Sequence, residues 1–429
     1  SVRNFIPWKM TESLESQMRI LGEIPHLQKL AQKGTILLVP THQSNIDSIL
    51  IGYVIYLMSL PPFSYGGGLN LFSNPILSFF MSRLGAYTVD RQKNNVLYKA
   101  LLKNYSTEIL KEGVHSIFFP GGGRSRTGAL ESKLKLGLLG TGLTAQLQNY
   151  QSGKKNPNVY VVPMVMSYHF VFEAASLIED YLSSLGKHRF FGSDSVEPFF
   201  FFKITKFFWK LFSAQTGISV RIGKPLDVFG NLVDEDGNSI GPNGTIIDPK
   251  KWLTTRGELK EVLQRDQEYT RQLGERLVDR YYKENLVLTS HVVAFVLFSM
   301  IRKKYPELDL FRFLRLSKAQ RTVTYSSFME ECERFHKKLV HEAQQGSFYL
   351  SQELLSGRTE EWAKDGMKQL GVFHTHPVVR AKDDLVWTED MNLLYYYRNR
   401  LSGYGFSLYA LTDNPTQSRG AYDKKGFLV

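Results

Sequence analysis

The sequence predicts an α/β fold, a mixed β-sheet with helices packed around it, followed by a mainly helical C-terminal region. Three observations lead to this prediction. Apolar runs such as Thr35–Pro40 and Val159–Tyr168 have the length and continuity of strands that are buried on both faces. Segments such as 96–112 have the spacing of amphipathic helices, and they alternate with apolar runs as far as about residue 227. From residue 286 onward, helical patterns dominate.

The order of these elements suggests three regions. Residues 1–34 read as an N-terminal helical lead-in, 35–285 as the α/β domain, and 286–429 as the helical region. A chain of 429 residues suits one large core with such an appended region. The remaining expected elements are helices over 49–60, 252–284 and 326–345, a late strand over 218–225, and a surface loop over 231–243, which is rich in Asp, Asn and Gly.

The strand predicted over 35–40 leads directly into a His and an Asp five residues apart, His42 and Asp47. On a regular helix, five residues rotate the chain by about 500°, so the two side chains would point apart. The pair can meet only if His42 lies on a strand-to-helix turn and Asp47 in the first helical turn. A His oriented by a carboxylate can take a proton from a hydroxyl. Taken alone, this spacing also arises between unrelated side chains.

A second apolar run ends in a glycine-rich turn over 118–128 that delivers Arg124 and Arg126 at alternate positions. Lys133 and Lys135 follow at the same spacing. Glycines allow backbone N–H groups to approach an anion, and guanidinium groups bind phosphate oxygens in pairs. The segment therefore predicts a phosphate-binding strand end, although it is not a P-loop. A solvated basic hairpin turn is the alternative.

Two shorter segments complete the pattern. Residues 84–91 read as a short strand that ends in Arg91, and the buried strand Val159–Tyr168 is interrupted by Pro163. Each one, taken singly, is typical of an ordinary core strand.

In this order, the four segments resemble the glycerophospholipid acyltransferase superfamily, and most closely the bacterial membrane-bound glycerol-3-phosphate acyltransferase family (PlsB). That family carries HxxxxD, GAxxxxR, FxEGxRSRTG and PxxxxY motifs. The similarity is clear over 35–175, loose over 200–300, and faint at 395–399. It implies the glycerophospholipid acyltransferase fold and acyl transfer from acyl-CoA or acyl-carrier protein to the sn-1 hydroxyl of glycerol 3-phosphate, giving lysophosphatidate in the first step of phospholipid synthesis. It implies no metal and no redox cofactor.

The resemblance also assigns roles to residues. His42 would deprotonate the acceptor hydroxyl and Asp47 would hold its tautomer. Arg124 and Arg126, with Arg91, would bind the phosphate. The other substrate-binding candidates are Gly122, Gly123, Ser125, Lys133, Lys135 and Pro163, and the amides near the two glycines are candidate oxyanion donors.

One position departs from the family motif. The glutamate of FxEGxRSRTG is replaced by Gly121. This puts acceptor choice or rate in doubt, and another carboxylate, such as Glu131 or Glu173, could substitute for it.

The composition indicates an anionic partner. The net charge is +12 and aromatic residues make up 13% of the chain, which fits a membrane surface, a phosphorylated substrate, coenzyme A or an acidic carrier protein. No RNP, zinc-finger or basic-zipper pattern occurs, so nucleic acid is not expected. The single cysteine, Cys332, excludes an intrachain disulfide and fits a reducing compartment. His374 and His376 have no third ligand nearby and read as a loop rather than a metal site.

Membrane contact is expected at the surface of the bilayer. The apolar runs 49–60 and 286–301 are shorter than the roughly 20 residues of a spanning helix. The segment Phe199–Phe212 places Lys203, Lys206 and Lys210 at helical spacing among Phe and Trp residues, as in helices that lie in an anionic interface. An aromatic core helix is the alternative. We expect a peripheral or monotopic protein at the cytoplasmic face of the inner membrane. No signal peptide is visible, and Ser1 in place of Met suggests a trimmed N-terminus.

Other functions remain open at this point. The acceptor could be dihydroxyacetone phosphate or lysophosphatidate. The chain could also be a non-catalytic lipid-binding protein of the membrane surface, or a soluble phosphosugar-binding protein. The presence of both His42 and Asp47 favours an enzyme.

Overall fold

A computed structural model describes residues 18–72, 85–90, 93, 95–185, 217–371, 374 and 376–406. The first half contains β1 (Met18–Gly22), α1 (Ile24–Lys33), β2 (Thr35–Pro40), α2 (Asp47–Leu57), β3 (Ser64–Gly68), α3 (Leu69–Phe72), β4 (Ala86–Val89), α4 (Val96–Lys111), β5 (Ser116–Ile117), α5 (Leu136–Gln151), β6 (Val159–Tyr168), α6 (Ala174–Leu185) and β7 (Ile218–Ile222). The second half contains β8 (Leu232–Val233), β9 (Ser239–Ile240), β10 (Ile246–Ile247), α7 (Pro249–Leu253), β11 (Thr254–Thr255), β12 (Glu258–Leu259), α8 (Leu263–Lys283), β13 (Leu286–Val287), α9 (Thr289–Lys304), α10 (Leu310–Leu314), β14 (Thr322–Thr324), α11 (Tyr325–Gln344), β15 (Tyr349–Leu350), α12 (Gln352–Ser356), α13 (Thr359–Gln369), β16 (Val379–Lys382), β17 (Leu385–Thr388), α14 (Met391–Arg398) and a 3₁₀ turn (Asn399–Leu401).

A seven-stranded sheet with the order β1-β7-β6-β2-β5-β3-β4 lies at the centre. Strands β2 to β6 run parallel to one another, whereas β7 is antiparallel to β6 and parallel to β1. The predicted mixed sheet is therefore confirmed. Strands β2 and β6 are buried along their whole length, which explains their continuous apolar sequences.

The carboxyl ends of the parallel strands meet at one edge of this sheet. Strand β2 is flanked by β5 and β6, so the turn after β2, the glycine-rich segment after β5 and the end of β6 come together there. This is the edge at which open α/β sheets bind their ligands.

The region after residue 286 packs on the same core as the sheet. Twelve of the sixteen residues of α9 are buried, and one hydrophobic cluster joins Leu27 of α1, Val162 of β6, Phe295 of α9 and Leu394 of α14. Helices dominate this region, with a small antiparallel sheet of β14, β17 and β16 beside them. The expected boundary at residue 285 is therefore not a break in the core.

Three expected elements differ from the structure. The lead-in contains a strand, β1, which pairs with β7. The expected loop over 231–243 contains the paired strands β8 and β9. The long helix starts only at Leu263, because residues 254–259 form a hairpin whose turn has positive φ at Arg256 and Gly257. In the part of the chain that the structure describes, no helix has both the length and the apolar character needed to cross a bilayer.

Candidate active site

The turn after β2 has the expected form. His42 lies between β2 and α2, and Asp47 is the first residue of α2. Strand β6 fixes the turn at its start, because the Thr41 amide donates to the Met164 carbonyl at 2.9 Å and the Met166 amide donates to Thr41 Oγ1 at 3.0 Å. The predicted placement of the His–Asp pair is confirmed.

Asp47 is fully buried, and both of its carboxylate oxygens are hydrogen-bonded. Oδ2 accepts from His42 Nδ1 at 2.8 Å, from the Gln43 amide at 2.6 Å and from the Ser44 amide at 3.0 Å. Oδ1 accepts from the Tyr168 hydroxyl at 2.5 Å. Burial raises the pKa of Tyr168 well above its ordinary value, and the Asp47 charge adds to the effect, so this hydroxyl remains a donor. Because the carboxylate can only accept, Nδ1 of His42 carries a proton and Nε2 is left as the basic nitrogen.

The His42 ring is also held by packing. It stacks on Phe119, with ring centroids 4.1 Å apart and an interplanar angle of 25°. Its side chain is 11% exposed. The base is thus fixed in orientation, and a small part of it is still open to solvent.

The glycine-rich segment after β5 wraps around this histidine. The Ser125 amide donates to the His42 carbonyl at 2.8 Å, and Ser125 Oγ donates to the Ala129 carbonyl at 2.7 Å. Arg124 is 3.7 Å from Glu173 Oε1. This segment, residues 118–135 between β5 and α5, is called the basic loop below, and it is attached directly to the backbone of the candidate base.

Glu173 connects the basic loop with the turn after β2. Its carboxylate accepts from Ser44 Oγ at 2.7 Å and from the Asn45 amide at 3.0 Å, beside its ion pair with Arg124. This arrangement fixes Arg124 close to the His–Asp turn. From the sequence, Glu173 was one of the two carboxylates named as possible substitutes for the missing motif glutamate.

Three further basic side chains, Arg126, Lys133 and Lys135, are exposed along the same loop. Lys135 lies against Gly122, where a Cβ would come within 2.3 Å of Lys135 Cε and where φ is +74°. Glycine at this position therefore lets the lysine side chain approach the backbone. Exposed cations around a glycine turn form a positive surface that suits a phosphate group.

The two candidate oxyanion donors differ. The Gly122 amide donates to the Phe119 carbonyl at 3.0 Å and is not free for a substrate. The Gly123 amide has no acceptor among the described residues, so it is the better candidate of the two.

Glu131, the other carboxylate named as a possible substitute, contacts the backbone of His42, which the sequence did not indicate. Its Oε1 accepts from the His42 amide at 2.7 Å. Burial raises the pKa of the Glu131 carboxyl, while the His42 amide and the charge of Arg400 act in the opposite direction.

Asn399 and Arg400, near the end of the described chain, contact the basic loop and strand β6. Asn399 Nδ2 donates to the Thr127 carbonyl at 3.0 Å. Arg400 Nη2 donates to the Met166 carbonyl at 2.6 Å and to Ser167 Oγ at 3.0 Å. Asn399, at the end of the faint similarity over 395–399, thus contacts the basic loop, and the next residue, Arg400, contacts strand β6.

The structure brings most of the predicted site residues together, namely His42, Asp47, Gly122, Gly123, Arg124, Ser125, Arg126, Lys133 and Lys135. Pro163 lies elsewhere, inside β6, in register with Val39 and with its carbonyl accepting from the Gly223 amide at 2.8 Å. Arg91 and the segment Phe199–Phe212 lie outside the described residues. His374 Nε2 is 2.8 Å from the Tyr397 hydroxyl, and no group of three metal-binding side chains occurs in the ranges that the structure covers.

A buried His–carboxylate pair next to an exposed cluster of cations defines a site that can deprotonate a hydroxyl on a phosphorylated molecule. Residues 23–167 match the family model described as Acyltransferase. This range includes the His–Asp turn, the basic loop and almost all of β6.

The chain is also similar to curated proteins of known name. Glycerol-3-phosphate acyltransferases of Haemophilus influenzae (strain PittEE) and Pasteurella multocida are 37% and 38% identical over 149 residues, which is 34% of this chain and 18% of each relative. That of Pseudomonas fluorescens is 28% identical over 312 residues, 71% of this chain and 33% of the relative. The matches thus span a third or less of these relatives. A crystal structure of the 1-acyl-sn-glycerophosphate acyltransferase PlsC from Thermotoga maritima aligns with a TM-score of 0.30 and 16% identity, covering 62% of this chain and 72% of that one.

Residues 23–167 thus form a domain of the Acyltransferase family, and the relatives reported above are named glycerol-3-phosphate acyltransferase. The resemblance seen in the four motifs is confirmed.

Proposed function

We propose that this protein transfers an acyl group from a thioester to the sn-1 hydroxyl of glycerol 3-phosphate and releases lysophosphatidate. The observation that carries the proposal is the direct bond between the base and the anion-binding loop. The His42 carbonyl accepts from the Ser125 amide at 2.8 Å, between the two arginines Arg124 and Arg126. A hydroxyl and a phosphate of one small molecule would therefore face the base and the cations together.

His42 acts as the general base. Its Nε2 takes the proton from the acceptor hydroxyl as the oxygen attacks the thioester carbonyl. The resulting imidazolium is stabilised by Asp47, whose carboxylate is 2.8 Å from Nδ1. Collapse of the tetrahedral intermediate breaks the C–S bond, and the imidazolium returns its proton to the departing thiolate. The base is thereby regenerated without a covalent enzyme intermediate.

The cations bind the phosphate in this proposal. Arg124 is partly neutralised by Glu173, at 3.7 Å, whereas Arg126 and Lys135 are exposed. We therefore assign the strongest phosphate contact to Arg126, with Lys133, Lys135 and Arg91 as further candidates. The Gly123 amide is the candidate donor to the oxyanion.

The acyl donor is proposed to be acyl-CoA or acyl-carrier protein, since both present a thioester and negative charge to a chain of net charge +12. We further propose a peripheral position at the cytoplasmic face of the inner membrane, through Phe199–Phe212. Replacing Lys203, Lys206 and Lys210 by Glu should then release the protein from anionic vesicles, because each basic residue near such a surface contributes about 1 kcal/mol. Unchanged sedimentation would remove this segment from the proposal.

The test of function is an acyl-transfer assay with palmitoyl-CoA and palmitoyl-carrier protein as donors. Glycerol 3-phosphate, dihydroxyacetone phosphate and lysophosphatidate are offered as acceptors. We expect glycerol 3-phosphate to be acylated at the highest kcat/KM. His42→Ala should lower kcat by about 100-fold to 10,000-fold, the range of general base catalysis.

The control is His341→Ala, because His341 is exposed on α11, outside the site. A preference for another acceptor would correct the substrate. Failure to acylate any of the three, or full turnover in His42→Ala, would refute the proposed function.

A further inference from the structure

The basic loop holds the backbone of His42 at both its amide and its carbonyl group. The His42 carbonyl accepts from the Ser125 amide at 2.8 Å, and the His42 amide donates to Glu131 Oε1 at 2.7 Å. The first contact is between backbone groups and does not depend on a side chain. The second depends entirely on Glu131. A single carboxylate thus supplies one of the two hydrogen bonds that hold the His42 backbone on the loop.

Glu131 reaches His42 through a space left free by Gly121. A Cβ built on Gly121 would lie 2.9 Å from Glu131 Cγ and 3.4 Å from its Oε1. Real Cβ atoms do not approach Cγ so closely, and Cγ is not the mobile end of the chain. Gly121 is not among the residues with positive φ, so the backbone does not require glycine here. Glycine is required at position 121 because the Glu131 side chain fills the place of a side chain there.

The Glu131 carboxyl is also in an unusual environment for a purely structural group. Its Oε2 is buried and has no hydrogen-bond partner among the described residues. Burying an unpaired carboxyl oxygen costs free energy. Loop packing alone would be served equally well by an apolar side chain at this position.

We propose that Glu131 is a positioning residue that fixes the backbone of the catalytic base, and that Gly121 and Glu131 form an exchanged pair. In the motif that this chain resembles, a glutamate stands at position 121. Here, position 121 has no side chain, and the carboxyl enters the same space from position 131. The consequence for turnover rests on the proposed function; the placement of the His42 backbone does not.

The role also links the base to phosphate binding. Arg124 and Arg126 lie on the same loop as Glu131, so the bond to His42 sets the distance between the base and the bound acceptor. An error of about 1 Å in such a distance lowers turnover strongly. Loss of Glu131 should therefore affect kcat more than KM, because the Ser125 contact and the cations remain.

The first experiment compares Glu131→Ala with Glu131→Gln. Glutamine keeps an oxygen that can accept from the His42 amide, whereas alanine does not. We expect Glu131→Ala to lower kcat about 10-fold with the acceptor KM changed less than about threefold, and Glu131→Gln to stay within about threefold of the parent. Ser132→Ala, an exposed neighbour, is the control. Equal kcat in Glu131→Ala and the parent, or equal damage in Glu131→Gln and Glu131→Ala, would overturn the proposal.

The second experiment tests the exchange. Gly121→Glu alone should lower kcat at least about 10-fold, because two side chains then compete for one space. In the double variant Gly121→Glu with Glu131→Gly, the carboxyl is carried by position 121 and no side chain from position 131 competes with it. The kcat of the double variant should therefore exceed that of Gly121→Glu. If the loss of kcat in the double variant equals the product of the losses in the two single variants, Gly121→Glu and Glu131→Gly, the two positions do not share a space.

A third measurement does not depend on catalysis. Amide hydrogen exchange at His42 should be faster in Glu131→Ala, by about 10-fold, and unchanged in Glu131→Gln. If the parent acylates none of the acceptors, the proposed function fails, yet this measurement still tests Glu131. Unchanged exchange at His42 in Glu131→Ala would overturn the positioning role even in a fully active enzyme.

Discussion

Replacing Asp47 by Asn tests how the His–Asp pair works. Asn has the shape of Asp but no charge, and one of its two terminal atoms is a donor. Asp47 Oδ2 accepts from three groups, the His42 Nδ1 and the amides of Gln43 and Ser44. Among the residues that the structure describes, Tyr168 is the one donor to Oδ1, through its hydroxyl. The asparagine oxygen must therefore take the Oδ2 position, since its NH₂ group there would face two backbone donors.

This orientation determines the size of the effect. The NH₂ group would face Tyr168, whose hydroxyl can rotate and accept. His42 would keep the proton on Nδ1 and the free base on Nε2, so only the negative charge is lost. A hydrogen bond to a charged group contributes about 1.5–3 kcal/mol, which corresponds to a loss of about 10-fold to 150-fold in kcat. The wrong tautomer would cost far more, about 10,000-fold as in a serine-protease triad.

Two measurements check the reasoning. Steady-state acyl transfer gives kcat for Asp47→Asn, with Asp236→Asn as an exposed control. Nitrogen-15 NMR of the histidine rings reports which nitrogen carries the proton, and His42→Ala identifies the signal. A 10,000-fold loss, or a His42 ring protonated on Nε2 alone, would refute the inferred orientation of the side chain.

Three other perturbations follow from the site and its support. Tyr168→Phe should lower the free energy of unfolding by about 1.5–3 kcal/mol in urea titrations, because Asp47 Oδ1 then loses its partner. Arg126→Ala should raise the KM for the phosphorylated acceptor about 10-fold to 150-fold and leave the KM for the acyl donor unchanged. If the acyl donor binds more weakly instead, this arginine binds the acyl donor and not the acceptor. Burial lowers the pKa of His115 to about 4, and its Nδ1 is within hydrogen-bond distance of the Ile36 amide, 3.1 Å. The unfolded chain therefore binds a proton that the folded chain does not, so the free energy of unfolding should fall as pH drops from about 6.5 to about 4. Urea midpoints in His115→Gln should show a weaker fall.

Matched controls exist for each change. Tyr56→Phe removes a hydroxyl from an exposed tyrosine, and Lys155→Ala removes an exposed cation. His341→Gln changes a histidine on the surface of α11. If these variants behave like the site variants, the effects do not come from the contacts described above.

The central strands could be predicted because their signal is local. Thr35–Pro40 and Val159–Tyr168 are continuous apolar runs, and their observed bounds agree with the sequence pattern. The His–Asp arrangement was also accessible, since the two side chains can meet in only one type of turn. In contrast, β1 has only five residues, and it is a strand because β7, about 200 positions later in the chain, pairs with it. Tertiary pairing of this kind leaves no pattern in the local sequence.

The positions of most candidate site residues could be predicted from the sequence, whereas their supporting contacts could not. The base and the basic loop were each expected at the end of a strand, and in the structure these two strands are parallel neighbours that end at the same edge of the sheet. The sequence offered Glu131 as one of two substitutes for the missing motif glutamate. Its contact with His42 depends on the absence of a side chain at Gly121, which only the structure shows. Tyr168 ended the fourth motif, but its bond to Asp47 required knowing that β6 lies beside β2. Pro163 was selected from the same motif and is an internal strand residue.

The contact between Arg400 and strand β6 has a consequence for the timing of synthesis. Arg400 reaches the Met166 carbonyl across 234 positions of sequence, and Asn399 reaches Thr127 across 272. At about 5–20 residues per second, these residues are made on the order of 20 to 70 s after His42. His42, Asp47 and the basic loop therefore leave the ribosome well before Asn399 and Arg400, which contact the loop and strand β6. Ribosome-bound chains that stop before residue 399 should lack a finished site, however much of the sheet they have already formed.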